Sequence, residues 1–506
     1  MEYLQPLIGR LSLLSSPVIW VYVLFGTVIG VIVGALPGIG TTLTYGLVLP
    51  FTFAMDPVNA IAFLLSISVG NQYGNSIPAI LMGLPGSASA MMTCIDGYAL
   101  QRRGEGGLAL GVSYIAALGG QIVSIPLFVV LTVPLVQAAY LFMQPEMCAL
   151  YLLGMVCIVS LTGKNVIKGL MAAGFGIGIA LVGLDPMNNT PRFAFGFRAV
   201  RSGFEIVPIM IGLLAVGELF RSTRQVFQWG EVSGAKISLP RFPSWRQLRP
   251  TIPSILFGTV VGTLVGAIPG AGGTPSALIS YQYAQFLSKH PEEFGHGSIE
   301  GIGANEAAQN ASNSGELVPT FSLGIPGSGS MVLLLGCLTA HGFIPGPQLL
   351  RTGPELFYAS IGGMLASTVI LIITGWKCAT LMLKAVNMNR QVVTVLALAT
   401  TVIGVYSLNA RVFDVFVMLA AGIIGYFMLR YGYSTAGAAL AVVLGAGFEA
   451  NLRQGLNLVD NSWVKFLSRP ITGITVATCF VLLLYGLYRT HKARQRLLVQ
   501  ASSEKS

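Results

Sequence analysis

The sequence predicts an all-α polytopic membrane protein with about ten to twelve transmembrane helices. Three observations predict it. Of the 506 residues, 54% are hydrophobic and only 9% are charged, whereas a soluble domain carries about 25% charged residues. Apolar stretches of roughly 17–25 residues, the length that crosses a bilayer, recur from one end to the other. The chain also repeats itself. Leu24 to Gly40, LFGTVIGVIVGALPGIG, returns at Leu256 to Gly272 as LFGTVVGTLVGAIPGAG, with five of seventeen positions changed. Pro78 to Ser89, PAILMGLPGSAS, returns at Pro319 to Ser330 as PTFSLGIPGSGS. The offsets are 232 and 241 residues, and two motifs in one order at nearly one offset mark the duplication of a large unit.

Charge and cysteine usage narrow the class. The net charge of +10 gathers in loops and toward the C-terminus, which is the positive-inside pattern and no sign of nucleic acid. The 62 glycines suit helices that approach closely in lipid. Cys94, Cys148, Cys157, Cys337, Cys378 and Cys479 show no ligand spacing and the four histidines are scattered, so both read as packing or loop residues. No cleavable signal peptide is evident, and the first apolar segment reads as a retained span.

In chain order, residues 18–36 predict the first span, ending at Pro37-Gly38-Ile39-Gly40, and 41–55 are apolar up to the Asp56-Pro57 turn. Residues 58–70 start a helix that meets a polar, glycine-rich stretch, Gly70 to Ser76, read as a break. Pro78 to Met92 follows, interrupted at Gly83 to Ser87. Further spans are expected at 108–136, 146–161, 166–184 and 203–220, with a polar excursion at 185–202. After the linker come spans at 251–268, 355–377, 391–408, 412–430, 434–449 and 470–488. The organisation is therefore a first membrane repeat (1–220), a basic cytoplasmic linker (221–250), a second membrane repeat (251–380), C-terminal transmembrane helices (381–490) and a basic cytoplasmic tail (491–506). The linker holds Arg221, Arg224, Lys236, Arg241, Arg246 and Arg249 against Glu231. The repeats read as inverted, the arrangement common in secondary carriers.

Proline and glycine inside apolar sequence predict broken helices or re-entrant hairpins. Backbone groups freed there must be satisfied, and they can line a solute or ion site. Amides at a half-helix N-terminus favour an anion, and freed carbonyls with Asn and Ser oxygens suit Na⁺. The candidate binding residues of the first copy are Pro37, Gly38, Gly40, Asn71, Asn75, Ser76, Pro85, Gly86, Ser87 and Ser89. Those of the second are Pro269, Gly270, Gly272, Gly273, Asn305, Asn310, Asn313, Ser314, Glu316, Pro326, Gly327, Ser328 and Ser330. Small residues in membrane helices also serve packing alone. Packing, however, needs neither proline breaks nor several asparagines beside them. Asp96, Glu306 and Glu316 are the carboxylates nearest the breaks, and a carboxylate within the membrane is functional by default. Asp96 could equally close a helix end.

GALPGIG, the LMGLPGSAS stretch, GAIPGAGG and VPTFSLGIPGSGS resemble the large membrane subunit of bacterial tripartite tricarboxylate transporters, the TctA type, over nearly the whole chain. The resemblance implies a secondary carrier, not an enzyme, in the bacterial inner (cytoplasmic) membrane. It implies two protein partners, a small membrane subunit of the TctB type and a periplasmic solute-binding protein of the TctC type. It further implies uptake of citrate or related carboxylates with no cofactor, driven by an ion gradient of Na⁺, with H⁺ as the alternative. A self-sufficient carboxylate carrier or anion channel is the competing reading. An intramembrane enzyme finds no HExxH or GxSxG motif. A P-loop pump finds no Walker motif, since Gly163-Lys164 is followed by Asn165.

Overall fold

The computed structural model describes residues 16–36, 38–162, 165–185, 187–226, 240–385 and 390–503. Pro37, Lys164, linker positions 227–239 with Glu231 and Lys236, the lead at 1–15 and the tail end at 504–506 lie outside the described residues.

The helices in chain order are α1 (Pro17–Gly34), α2 (Thr41–Thr52), α3 (Pro57–Met82), α4 (Met91–Arg102), α5 (Gly106–Ala139), α6 (Gln144–Thr162), α7 (Val166–Ala180), α8 (Ile206–Ile211), α9 (Gly217–Val226) and α10 (Trp245–Gly266). There follow α11 (Gly273–Leu287), α12 (Ile299–Leu323), α13 (Gly329–Ala340), α14 (Leu349–Thr352), α15 (Pro354–Ala385), α16 (Arg390–Asn409), α17 (Val412–Arg430), α18 (Thr435–Leu458), α19 (Trp463–Ser468) and α20 (Pro470–Ser503). A π-helical stretch, Gly212–Val216, joins α8 to α9. The strands among the described residues are β1 (Gly183–Leu184) and β2 (Pro191–Arg192), an antiparallel pair in the polar excursion. Among the described residues, seven helices, α1, α5, α10, α15, α17, α18 and α20, are long and apolar enough to cross a membrane. This is an all-α, multi-pass membrane protein.

Two helices break the hydropathy rule, and they organise the fold. With 26 and 25 residues, α3 and α12 could span by length, yet both are rich in Asn, Gln and Ser, and α12 also carries Glu. Such side chains cannot face hydrocarbon, and here they do not: every residue from Ala60 to Leu81 and from Gly301 to Leu323 is buried. The expected break at Gly70 to Ser76 is therefore corrected. The helix α3 runs straight through it, because its polar side chains find partners on neighbouring helices. The chain leaves the helix only at Gly83.

What lets α3 and α12 be enclosed is glycine. On α1, Gly26, Gly30 and Gly34 face the carbonyls of Phe63, Ile67 and Asn71 on α3; on α10, Gly258, Gly262 and Gly266 face those of Ala304, Ala308 and Ser312 on α12. A Cβ at any of the six would fall 2.3–2.8 Å from the opposing oxygen, so no larger residue fits this small-xxx-small contact. The three contacts of the first copy map onto those of the second at the offsets 232 and 241 seen in the sequence.

The described residues group into two compact units, each made of two separate stretches: Met1–Gln137 with Ser222–Ala410, and Ala138–Arg221 with Arg411–Ser506. This grouping follows contacts, whereas the sequence divisions follow repeats and charge. The first unit holds both Pro-Gly-bearing repeats. In it α16 crosses α2 with Gly404 against Pro50, where a Cβ would meet the proline ring at 1.7 Å. In the second unit α18 packs on α6 and α7, and α20 packs on α6. Its polar excursion is tied down by charge. Arg192 pairs with Asp185 at 3.2 Å and Glu449 at 2.6 Å, and Arg453 joins both acids.

Candidate functional site

Each buried polar helix ends in the same way. Gly83 closes α3 with φ +67° and donates its N–H to the Pro78 carbonyl; Gly324 closes α12 with φ +70° and donates to Pro319. The left-handed conformation is one that glycine adopts without strain. Leu84 and Ile325 donate to the same two carbonyls at 3.3 and 3.2 Å. The chain then passes Pro85-Gly86-Ser87 or Pro326-Gly327-Ser328 into the next helix. The loops after α1 and α10 also match. Gly38 and Gly270 have φ +81° and +75°, and Ile39 and Ala271 each donate at 3.1 Å, to Leu36 and Ile268.

Four helical segments begin at these loops: α2 after Gly40, α11 after Gly272, α13 after Ser328, and the 3₁₀ turn Ala88–Ala90 leading into α4 after Ser87. Among the described residues, none is capped by the side chain of its N-cap residue. Their orphan amides and positive dipole ends are left for something else. The four ends meet in a ring. A Cβ on Gly40 would lie 3.6 Å from Ser87 Cβ, and one on Gly272 3.5 Å from Ser328 Cβ. Crossing between copies, a Cβ on Gly273 would lie 3.5 Å from Ser89 Cβ, and one on Gly329 3.1 Å from Thr42 Oγ1. Gly38 and Ala88 are exposed, and Gly40, Thr41, Ser87, Gly273, Ser328 and Gly329 are half-buried, so the ring is reachable. Helix N-termini that converge in this way present positive dipole ends to one place.

Behind the ring, α3 and α12 are cross-linked by polar side chains. Ser68 donates to Asn313 Oδ1 at 2.8 Å, Gln309 Nε2 to the Gln72 carbonyl at 3.1 Å, and Ser76 to both oxygens of Glu306 at 2.7 and 2.8 Å. As α3 advances from 68 to 76, its partners on α12 recede from 313 to 306, so the helices run antiparallel. Gln72 and Asn313 hold equivalent positions in the two copies and meet each other at 3.4 Å. The contacts thus pair equivalent positions of the two copies symmetrically about this point.

The sequence-predicted residues divide accordingly. Gly38, Gly40, Pro85, Gly86, Ser87, Ser89, Pro269, Gly270, Gly272, Gly273, Pro326, Gly327, Ser328 and Ser330 form the loops and the ring. Ser87 and Ser89 pair at 2.8 Å and Ser328 and Ser330 at 2.9 Å. Asn71 braces the first loop, accepting from Thr41 and donating to Thr44, both at 2.9 Å, and Asn75 donates to Asn71 at 3.0 Å. Glu316 accepts from Ser328 at 2.5 Å. Ser76, Asn305, Asn310 and Asn313 sit deeper, along the helix interface. Asn305 reaches across to the Ser89 carbonyl at 3.1 Å and Thr93 at 2.8 Å. Ser314 is not brought to the site: it points the other way, to Ser124 on α5 at 2.8 Å. Pro37 lies outside the described residues.

Sequence reading missed Ser68, Gln72, Thr93, Gln309, Thr41 and Thr44. The spacing 68, 72, 76 and 305, 309, 313 puts each set on one helix face, a signal legible once the stretch is taken as helix. Glu306 accepts from Ser76, Thr93 and Gln309, with no cationic partner among the described residues. Asp96 accepts from Tyr281 at 2.8 Å and the Gly297 amide at 2.9 Å, a tether between elements.

A buried polar core on antiparallel helices thus faces a ring of helix N-termini in a multi-pass membrane protein. The chain belongs to the Tripartite tricarboxylate transporter TctA family, whose profile matches residues 20–440. It is 33% identical over 496 residues to an uncharacterised 52.8 kDa protein in the TAR-I ttuC' 3' region of Agrobacterium vitis, covering 97% of this chain and 98% of that one. It is 31% identical over 234 residues to an uncharacterised protein in the TAR-II ttuC' 3' region of the same organism, covering 46% of this chain and 97% of that one. No solved structure matches.

Proposed function

We propose that this chain is the membrane-embedded carrier of a tripartite uptake system in the bacterial inner membrane. It imports tricarboxylates such as citrate, or related carboxylates, delivered by a periplasmic binding protein and assisted by a small membrane subunit. The carrying observation is the ring of four uncapped helix N-termini backed by α3 and α12. Such a ring favours carboxylates, and an inverted pair of broken-helix repeats is how alternating access around one fixed site is built.

Coupling to a cation, Na⁺ in this reading, follows from charge. Bringing a divalent anion into an inside-negative cell costs roughly 4–5 kcal/mol per 100 mV, and co-transported cations offset it. Buried oxygens without a hydrogen-bond partner, Asn75 Oδ1, Asn305 Oδ1, Gln309 Oε1 and Asn310 Oδ1, supply hard ligands of the kind such an ion takes. The test is uptake of labelled citrate into proteoliposomes, with the two partners added or omitted. Accumulation is expected only with an inward Na⁺ gradient and both partners. Citrate uptake equally fast without any ion gradient would sink the coupling, and uptake by this chain alone would favour the self-sufficient carrier.

A further inference from the structure

The two copies correspond loop by loop, but one pair of equivalent positions differs in kind. Asn75 in α3 corresponds to Glu316 in α12, 241 residues on. Both are buried, and both lie against the glycine of their Pro-Gly-Ser loop. A Cβ on Gly86 would meet Asn75 Oδ1 at 2.4 Å, and one on Gly327 would meet the Glu316 side chain at 2.8 Å.

Their surroundings differ as their charges do. In the second half-site the carboxylate accepts from the Ser328 hydroxyl at 2.5 Å. It also stands at the start of α11, where a Cβ on Gly272 would lie 3.6 Å from Glu316 Oε1. One carboxyl group therefore holds a hydroxyl and stands beside one of the helix ends. In the first half-site nothing plays that part. Among the described residues the Ser87 hydroxyl pairs with Ser89 alone, no carboxylate stands at the start of α2, and Asn75 Oδ1 is a buried acceptor without a donor. The second half-site is complete and the first is not.

We propose that Glu316 occupies the second half-site as a built-in anion, and that one carboxylate of the transported solute enters the first, at Gly40, Thr41 and Ser87. The division rests on the carboxylate-carrier reading above. Like charge then sets a specificity rule. A solute carboxylate is drawn to the empty half-site and repelled from the filled one, which gives the solute a single orientation across the two half-sites.

The test is citrate binding to the purified full chain in lipid nanodiscs, read as ligand-dependent thermal stabilisation, with variants that exchange the two half-sites. Asn75→Glu places in the first half-site the anion that the second already has, and should weaken citrate binding tenfold or more. Asn75→Gln, neutral where Asn75→Glu is charged, should weaken it far less than Asn75→Glu does. Glu316→Asn makes the second half-site like the first, and should leave citrate binding in place while opening a second anion site, seen as stoichiometry rising toward two. Should either charge variant fail to assemble, Ser87→Ala and Ser328→Ala decide: the former weakens citrate several-fold more than the latter. Loss of binding in Glu316→Asn with unchanged binding in Asn75→Glu, or Ser328→Ala weaker than Ser87→Ala, would overturn the division while leaving the carboxylate carrier standing. A wild-type chain that binds no carboxylate at all would overturn both.

Discussion

Glu306 illustrates how a charge-bearing residue is kept inside this chain. A buried carboxylate without partners is costly, and Ser76, Thr93 and Gln309 all donate to it. Glu306→Ala would strand those donors at about 1–3 kcal/mol each. The variant should lose about 3 kcal/mol of stability, read as a large fall in unfolding temperature, while Glu306→Gln, which still accepts, should lose less. An alanine variant as stable as the parent would contradict this role. Gly324→Ala should cost roughly 1–2 kcal/mol, since an L side chain is strained at φ +70°; its Cβ would also sit 3.0 Å from the Pro345 carbonyl. At this scale the glycines and serines of the loops were legible, because the duplicated motif marks them. Gln72, Thr93 and Gln309 were not, because a single polar residue announces its partner only once the fold brings it near. Ser314 fell to the opposite face because α12 is regular there and turns its side chain away from Asn313.

Helices carry the argument further. The contact of α10 with α12 depends on Gly262, where a Cβ would press to 2.3 Å on the Ala308 carbonyl. Gly262→Val should therefore separate the helices and abolish uptake, while Gly174→Val, with nothing within 4 Å of its Cβ, should be tolerated. Equal activity of both variants in the proteoliposome assay would refute the packing claim. In the polar excursion, the Met187 and Asn188 amides and Arg453 hold the Asp185 carboxyl below its ordinary range. A carboxyl whose folded pKa is lowered contributes stability above its unfolded value and loses it as pH falls through the folded one. The stability gap between the parent and Asp185→Asn should thus shrink below about pH 4, and a gap independent of pH would count against it. The Pro-Gly ends of these elements could be read from sequence. The continuity of α3 could not, since hydropathy treats Asn71, Gln72, Asn75 and Ser76 as loop-forming when they are the buried face of a helix.

The whole molecule joins the two scales. Duplication gives two chemically similar loops, antiparallel packing of α3 on α12 brings them together, and the result is one ring of helix ends around a polar core. The class of membrane protein and the duplicated plan were plain in composition and repeats. The grouping into units each built from two distant stretches was not, because it depends on which helices pack and no local pattern encodes that.

The account stands on the ring being where the carboxylate binds. Its most direct test is the rate of maleimide labelling of a cysteine placed at the exposed ring position Ala88, in a chain whose half-buried Cys94 has been replaced by serine. Ile344, also exposed, serves as the control site. Citrate should slow labelling of Ala88→Cys in a saturable way and leave Ile344→Cys unaffected. Equal rates at Ala88→Cys with and without saturating citrate would contradict the account.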